Sequence, residues 1–334
     1  MSAPSYRDGM LAQPANLLDA ATPLRDALAA TDLGALREGT IVFSGIGASW
    51  HALLPAVRHL RSRGRRAFAV PAPQLRGVRE LADAYVLISQ SGRSVELLEA
   101  IEALPAERVF ALSTRGDSPL AATAGAFLPL SPRQDSAVST LSYTATLQAL
   151  GMLAEELVDA PLTDWARVAE LARESLDRHR GDAETLAGAL ASANALDAIA
   201  AAPSIASAGE SALLGREGLH LPADGEETRQ YLHGPLEAVR DGFCCLIFGS
   251  EREVELAASL AGWGARACVI TAAHDAGAAS GVQAITIAGV TELASPVLEI
   301  VPVQMAVAVA GEQLGLGLGG LERQQPDTKI ADPA

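Results

Sequence analysis

Aromatic residues are scarce in this chain of 334 residues, at 4% against 49% hydrophobic overall. The interior must therefore be filled by Ala, Leu and Val, the composition of alanine-rich helices laid on valine- and isoleucine-rich strands. Basic residues are also short: 25 Lys and Arg against 40 Asp and Glu leave a formal charge of −15. Nucleic acid is excluded as an expected partner, because a phosphate backbone demands clustered Lys and Arg. A single small phosphate is not excluded, since a few local donors suffice to hold it.

Cysteine is nearly absent. The three present, Cys244, Cys245 and Cys268, form no CxxC pair and no Cys/His metal spacing, so neither a disulfide framework nor a metal site is expected. Cys244 and Cys245 fall inside the apolar run 242–248 and read as buried strand residues. Residues 1–19 lack a basic stretch followed by an apolar core, and no apolar run of about 18 residues stands out. No signal peptide, no membrane span and a cytoplasmic location are the expectations. Nucleotide motifs are missing as well. There is no GxxxxGK[ST] loop, and Trp50 stands where the third glycine of a dinucleotide fingerprint after Gly45 and Gly47 belongs. No cofactor is implied.

What is present is a regular alternation of short apolar runs and helical patterns. Strands are predicted over 40–44, 66–70, 84–88, 108–112 and 126–130, with helices over 50–61, 95–103 and 141–158 between or after them. A polar-faced helix over 165–190 joins this half to a second. There strands are predicted over 204–209, 243–248, 267–271 and 284–287, and a long helix over 296–311. The pattern specifies an α/β fold of two halves, each a parallel sheet flanked by helices in a flavodoxin-like three-layer sandwich. The expected division is an N-terminal helical segment over 1–36, a first α/β domain over 37–160 and a linker helix over 161–190. A second domain then covers 191–314, and a tail covers 315–334.

In parallel sheets ligands bind at the carboxyl ends of strands, so the loops there carry the functional reading. The loop after the third strand is Ser89-Gln90-Ser91-Gly92-Arg93-Ser94. Its three hydroxyls precede a helix whose first N–H groups are unsatisfied, and Gly92 allows close backbone approach. Ser91 or Ser94 as a simple helix cap is the alternative reading of this loop alone. Gly45-Ile46-Gly47-Ala48-Ser49 ends another predicted strand, and Ser139-Thr140 precedes the long helix of the first half. Three hydroxyl-bearing turns of this kind exceed what capping explains and predict a phosphate site.

Gly-Ala-Ser after the first strand, Ser-Gln-Ser-Gly after the third, and Val138-Ser139-Thr140 before a helix together resemble the sugar isomerase (SIS) domain family. The likeness runs from about residue 18 to the tail. It is closer to the isomerase half of the glutamine–fructose-6-phosphate aminotransferases, which carries two such domains in tandem. The resemblance implies that Ser49, Ser89, Gln90, Ser91 and Ser94 hold a substrate phosphate. It also implies that Gly47 and the stretch Ala137–Ser139 contact the sugar. Glu210-Ser211-Ala212-Leu213-Leu214-Gly215-Arg216-Glu217 is similar to the family helix Glu-Gly-Ala-Leu-Lys-Leu-Lys-Glu, which gives Glu217 the role of catalytic base. His233-Gly234-Pro235, sixteen residues further on, is similar to the segment whose histidine opens the sugar ring and reaches the partner subunit's site. A phosphorylated hexosamine as substrate and a homodimer as the assembly follow from the same likeness.

The departures are informative. Met1 is not a catalytic cysteine, and the SIS-like region starts almost at once, so glutamine hydrolysis is not expected. Leu214 replaces a lysine of the family helix. Gln325-Pro326-Asp327-Thr328-Lys329 resembles the family's C-terminal segment with a shorter Pro-to-Lys spacing, which makes Lys329 a candidate for the tail lysine.

The chemistry is coherent on its own terms. Moving a proton between C1 and C2 of an open-chain sugar needs a carboxylate that desolvation can tune and an acid/base near neutrality. His51, His59, His179, His220 and His274 show no clustered acidic or thiol partners in the sequence, with His220 closest to Glu217 at i+3. Three functions stay open at this point: isomerisation or deamination of an amino sugar 6-phosphate in the manner of glucosamine-6-phosphate deaminase or fructosamine-6-phosphate deglycase, dehydration of N-acetylglucosamine 6-phosphate, and non-catalytic sensing.

Overall fold

A computed structural model of the chain describes residues 4–273, 280–323 and 325–331. His274 lies outside the described residues. The first half runs α1 (Tyr6–Ala30), α2 (Gly34–Glu38), β1 (Ile41–Ser44), α3 (Ala48–Ser62), β2 (Ala67–Ala69), β3 (Ala84–Ile88), α4 (Val95–Ile101), β4 (Val109–Ser113), α5 (Pro119–Thr123), β5 (Ala126–Pro129) and α6 (Leu141–Leu157). The second runs α7 (Trp165–Arg178), α8 (Arg180–Ala191), β6 (Ala195–Ala200), α9 (Ile205–Leu219), β7 (Ala223–Glu227), α10 (Thr228–Tyr231), β8 (Phe243–Phe248), α11 (Arg252–Gly262), β9 (Arg266–Thr271), β10 (Val282–Thr286) and α12 (Ser295–Leu314).

Two compact units result. The N-terminal sheet unit gathers Ala15–Gln134, Ser142–Ala166 and Glu322–Ala334; the C-terminal sheet unit gathers Met1–Pro14, Asp135–Leu141 and Arg167–Leu321. Each holds a five-stranded sheet with every pairing parallel, ordered β2-β1-β3-β4-β5 in one and β7-β6-β8-β9-β10 in the other. Counted within each unit, both are 2-1-3-4-5, so the architectural repeat is strict although the two sequences share little.

The period-2 alternation of the strands builds the N-terminal core on both sheet faces. Ile41 and Phe43 of β1 join Val86 and Ile88 of β3 in one apolar cluster, while Val42 joins Tyr85 and Leu87 in the other. In the C-terminal unit Cys245 and Ile247 pack with Leu256, Ala257 and Leu260 of α11. The three cysteines are free and buried, Cys244 and Cys245 as their apolar run implied, and burial pushes the Cys244 thiol up to about 12.

Four expectations are corrected. Residues 205–209 open helix α9, and the strand lies earlier, at Ala195–Ala200. Small apolar residues such as Ile205-Ala206-Ser207-Ala208-Gly209 carry no period that separates a buried helix from a buried strand. The expected linker helix is two helices, broken at His179. The acidic β7 was invisible because Asp, Gly and Glu have low strand propensity; as an edge strand it pairs only with β6. Finally, α12 is long and apolar enough to cross a membrane by length and composition, but 78% of its apolar window is buried inside the molecule, as in a core helix.

Candidate functional site

In a 2-1-3-4-5 sheet the chain leaves β1 toward β2 and leaves β3 toward β4, in opposite directions, so a crevice opens between the ends of β1 and β3. Those strands are direct parallel neighbours, with Ser44 beside Leu87 at their carboxyl ends. The loops that follow are the two serine turns. Ser49 stands in the first turn of α3, beyond Gly47 at positive φ (59°). Gly45 cannot carry a side chain comfortably, since a Cβ would lie 3.1 Å from the Ser49 backbone and Cβ.

Ser89 is buried directly after β3, and its hydroxyl lies 3.1 Å from that of Ser94. Its amide donates to Leu112 O at 3.0 Å, and Gln90 O accepts from Thr114 N at 3.0 Å, which ties the loop to the end of β4. Gly92 has φ 65°, and a Cβ there would meet Ser118 Oγ at 2.1 Å. Glycine is therefore required by conformation and by space. Ser94 occupies the N-cap position of α4, yet its hydroxyl makes no capping bond. Ser118, at the N-cap of α5, does cap: it accepts from Ala121 N. Capping thus describes Ser118, and the capping alternative fails for Ser94. Among the described residues the side chains of Ser49, Gln90 and Ser91 have no hydrogen-bond partner within the chain, and all three are half-buried. Burial lowers the His51 imidazole to about 4, so it is neutral near pH 7 and adds no cation to this crevice.

The tail meets this loop inside the same unit. Lys329 forms an antiparallel bridge with Ser94, Val95 N donates to Thr328 O at 3.2 Å, and Ile330 N donates to Arg93 O at 3.2 Å. The Arg93 guanidinium closes the clamp on Ile330 O at 2.7 and 3.0 Å. The backbone of Lys329 is thereby fixed beside the serine turn, with its side chain exposed.

In the C-terminal unit Glu217 is half-buried near the end of α9. Its neighbour Arg216 donates from Nε to Ala223 O at 2.5 Å. His233 is exposed on the turn after α10. That short helix is fixed by the Glu227 carboxylate, which accepts from Arg229 N and Gln230 N, and by Tyr231 Oη donating to Asp197 at 2.7 Å. Ala137 is exposed and Ser139 half-buried on a loop organised by Asp135. That carboxylate accepts from Ser136 N (2.8 Å), Thr140 N (2.9 Å) and Thr140 Oγ1 (2.6 Å). The Thr140 hydroxyl, expected to join the phosphate group, is thus taken up internally.

Two further corrections concern titratable groups. His179 does have an acidic partner, Asp182, 2.8 Å from Nδ1. His220 is an exposed left-handed residue (φ 53°) ending α9. Sequence reasoning also passed over Asp135, Ser118 and the buried Glu210; only the last lay within a motif it had singled out.

The doubled 2-1-3-4-5 parallel sheet is a fold shared with solved sugar-phosphate enzymes. The chain is 24% identical over 323 residues to glutamine–fructose-6-phosphate aminotransferase [isomerizing] of Pyrobaculum aerophilum, covering 88% of this chain and 52% of that protein. The chain therefore spans about half the length of the curated relative it matches. Its structure superposes on the C-terminal domain of glucosamine-fructose-6-phosphate aminotransferase from Francisella tularensis with a TM-score of 0.81 at 16% identity, over 95% of this chain and 98% of the other. Tagatose-6-phosphate ketose/aldose isomerase from Escherichia coli gives 0.75 at 19% identity, over 97% and 93%. Glucosamine-6-phosphate deaminase from Thermotoga maritima gives 0.71 at 19%, over 95% and 98%. No protein-family model matches the chain.

Proposed function

We propose that the protein is an enzyme of amino sugar 6-phosphates that moves a proton between C1 and C2 of the ring-opened sugar, as an isomerase or deaminase. The observation that carries this reading is the set of uncommitted hydroxyls at the β1/β3 switch point. Among the described residues Ser49 and Ser91 have no side-chain partners, and Ser94 sits at a helix start without capping it. Neutral donors around a glycine turn suit one phosphate in a chain whose net charge is −15. Ser49, Ser89, Gln90, Ser91 and Ser94 hold that phosphate, and Gly47, Ala137 and Ser139 contact the sugar.

Glu217 acts as the base from its half-buried place near the end of α9. His233 opens the ring; its exposure suits action toward the partner subunit in a homodimer. Lys329, held beside Ser94 by the tail clamp, supplies an ammonium group that can give a proton to the substrate nitrogen as it leaves as ammonia. The free, buried cysteines are compatible with a reducing cytoplasm.

Dehydration of N-acetylglucosamine 6-phosphate is the second reading. Leu214, where the family helix has lysine, is buried and leaves α9 without that amine. Incubation with glucosamine 6-phosphate and, separately, with its N-acetyl form decides between them. Ammonia or ketose formation from the first supports the main reading, an ultraviolet-absorbing product from the second supports dehydration, and turnover of neither contradicts both.

A further inference from the structure

Seven residues before Glu217 on the same helix, Glu210 is completely buried. Seven residues are nearly two helical turns, so the two side chains leave the same face of α9. Neither Glu210 carboxyl oxygen has a hydrogen-bond partner among the described residues. No described basic side chain forms an ion pair with it, and the residue one turn further along, Leu214, is buried and apolar. The titratable groups that act on Glu210 are Tyr6 from α1, Asp135 from the loop before α6, and Glu217 from α9 itself. Every one is an acid. The Tyr6 hydroxyl is likewise buried without a hydrogen-bond partner among the described residues.

An ionised carboxylate with no donor and no counter-ion in such a place would cost far more than a protonated one. Burial first, then the charges of Glu217 and Asp135, raise the proton affinity of Glu210 well above the usual carboxylate range. Contrast Glu299, equally buried, whose carboxylate accepts from Ser204, Ser207 and Ser295. The fold can solvate an internal carboxylate with hydroxyls, and at Glu210 it does not.

We propose that Glu210 is kept as a neutral carboxylic acid behind Glu217, a positioning residue whose retained proton leaves Glu217 to carry the negative charge of the pair. This rests on the reading of Glu217 as the base. If both were ionised, the second charge would oppose the anionic intermediate formed when the sugar loses its proton; the neutral partner removes that opposition.

The test replaces the acid by an isosteric amide, Glu210→Gln, and first measures stability without substrate. The folded chain holds the Glu210 proton more tightly than the unfolded chain. Its stabilising effect is therefore complete below the unfolded value of about 4.3 and is lost as pH rises toward the folded value. The unfolding constant of the native chain relative to Glu210→Gln should rise about tenfold per pH unit across that window. Parallel profiles, or a Glu210→Gln chain that fails to fold, overturn the proposal, because a neutral amide of the same shape must be accommodated.

The second readout is the pH dependence of kcat on the substrate turned over. The native enzyme should lose rate on the alkaline side as Glu210 ionises, and Glu210→Gln should move that limb to higher pH while staying active near neutrality. An unmoved limb makes Glu210 merely structural. Glu217→Gln keeps the two readings apart: if it retains full activity the base assignment fails, whatever the stability profiles of Glu210→Gln show.

Discussion

The two units carry the same sheet order and put hydroxyls at the same topological place, yet they use them in opposite ways. After β6, the counterpart of β1, Ser204 and Ser207 donate to the Glu299 carboxylate together with Ser295, so the anion these hydroxyls hold belongs to the protein. After β1 and β3, the hydroxyls of Ser49 and Ser91 engage no group among the described residues. The loops after the third strands differ just as sharply. The N-terminal unit offers Ser-Gln-Ser-Gly, whereas the C-terminal unit has Gly249-Ser250-Glu251-Arg252-Glu253, with Glu253 buried and folded back toward Gly249. Carboxylates at that point would repel a phosphate. One scaffold thus yields a unit whose switch-point hydroxyls are proposed to receive an external anion and a unit whose equivalent hydroxyls are engaged by its own Glu299.

That division can be broken at several points. The largest effect is expected at the chemistry of the C-terminal unit: Glu217→Gln should lower kcat by about 10²–10⁴-fold with little change in substrate affinity, as measured by steady-state kinetics alongside calorimetric binding. Next comes the frame of the phosphate loop. Gly92→Ala forces a side chain onto Ser118 at positive φ, and should cost about 1–3 kcal/mol in denaturant unfolding besides weakening phosphate binding.

In the C-terminal unit, Ser207→Ala strips a donor from the buried Glu299 carboxylate. A loss of about 1–3 kcal/mol of stability is expected, with no change in affinity for a sugar phosphate. The smallest and sharpest pair compares two N-cap serines of the N-terminal unit. Ser118→Ala should lower stability by about 1 kcal/mol through its lost cap. Ser94→Ala removes only the contact with the Ser89 hydroxyl, so it should cost less stability than Ser118→Ala while weakening phosphate binding by about 1.5–3 kcal/mol, the worth of a hydrogen bond to a charged group. If the two serines behaved alike, the distinction between a cap and a cradle would be lost.

Much of this was legible in the residues, and the boundary of legibility has physical causes. Strands β3 and β8 were readable to the residue because Ala84–Ile88 and Phe243–Phe248 are short, apolar and bounded by turns. The serine turn was correctly placed between a strand and a helix because the apolar run before it stops sharply at Ile88. The start of α9 was misread because its small residues suit a buried helix and a buried strand equally. The role of Thr140 was misread because a hydroxyl does not reveal whether a neighbouring carboxylate, here Asp135, has already engaged it. Glu210 lay inside a quoted motif, but its isolation depends on Tyr6 and Asp135, which only the fold brings near. The tail clamp from Arg93 to Ile330 joins residues 237 apart, a pairing no local pattern encodes.

A phosphate cradle at the N-terminal switch point must show itself in calorimetric titration of the full chain. Glucosamine 6-phosphate should bind and unphosphorylated glucosamine should not, with Ser91→Ala weakening the former by about tenfold. Equal affinity for the two sugars, or a Ser91→Ala chain that binds the phosphate as tightly as the native one, would contradict it.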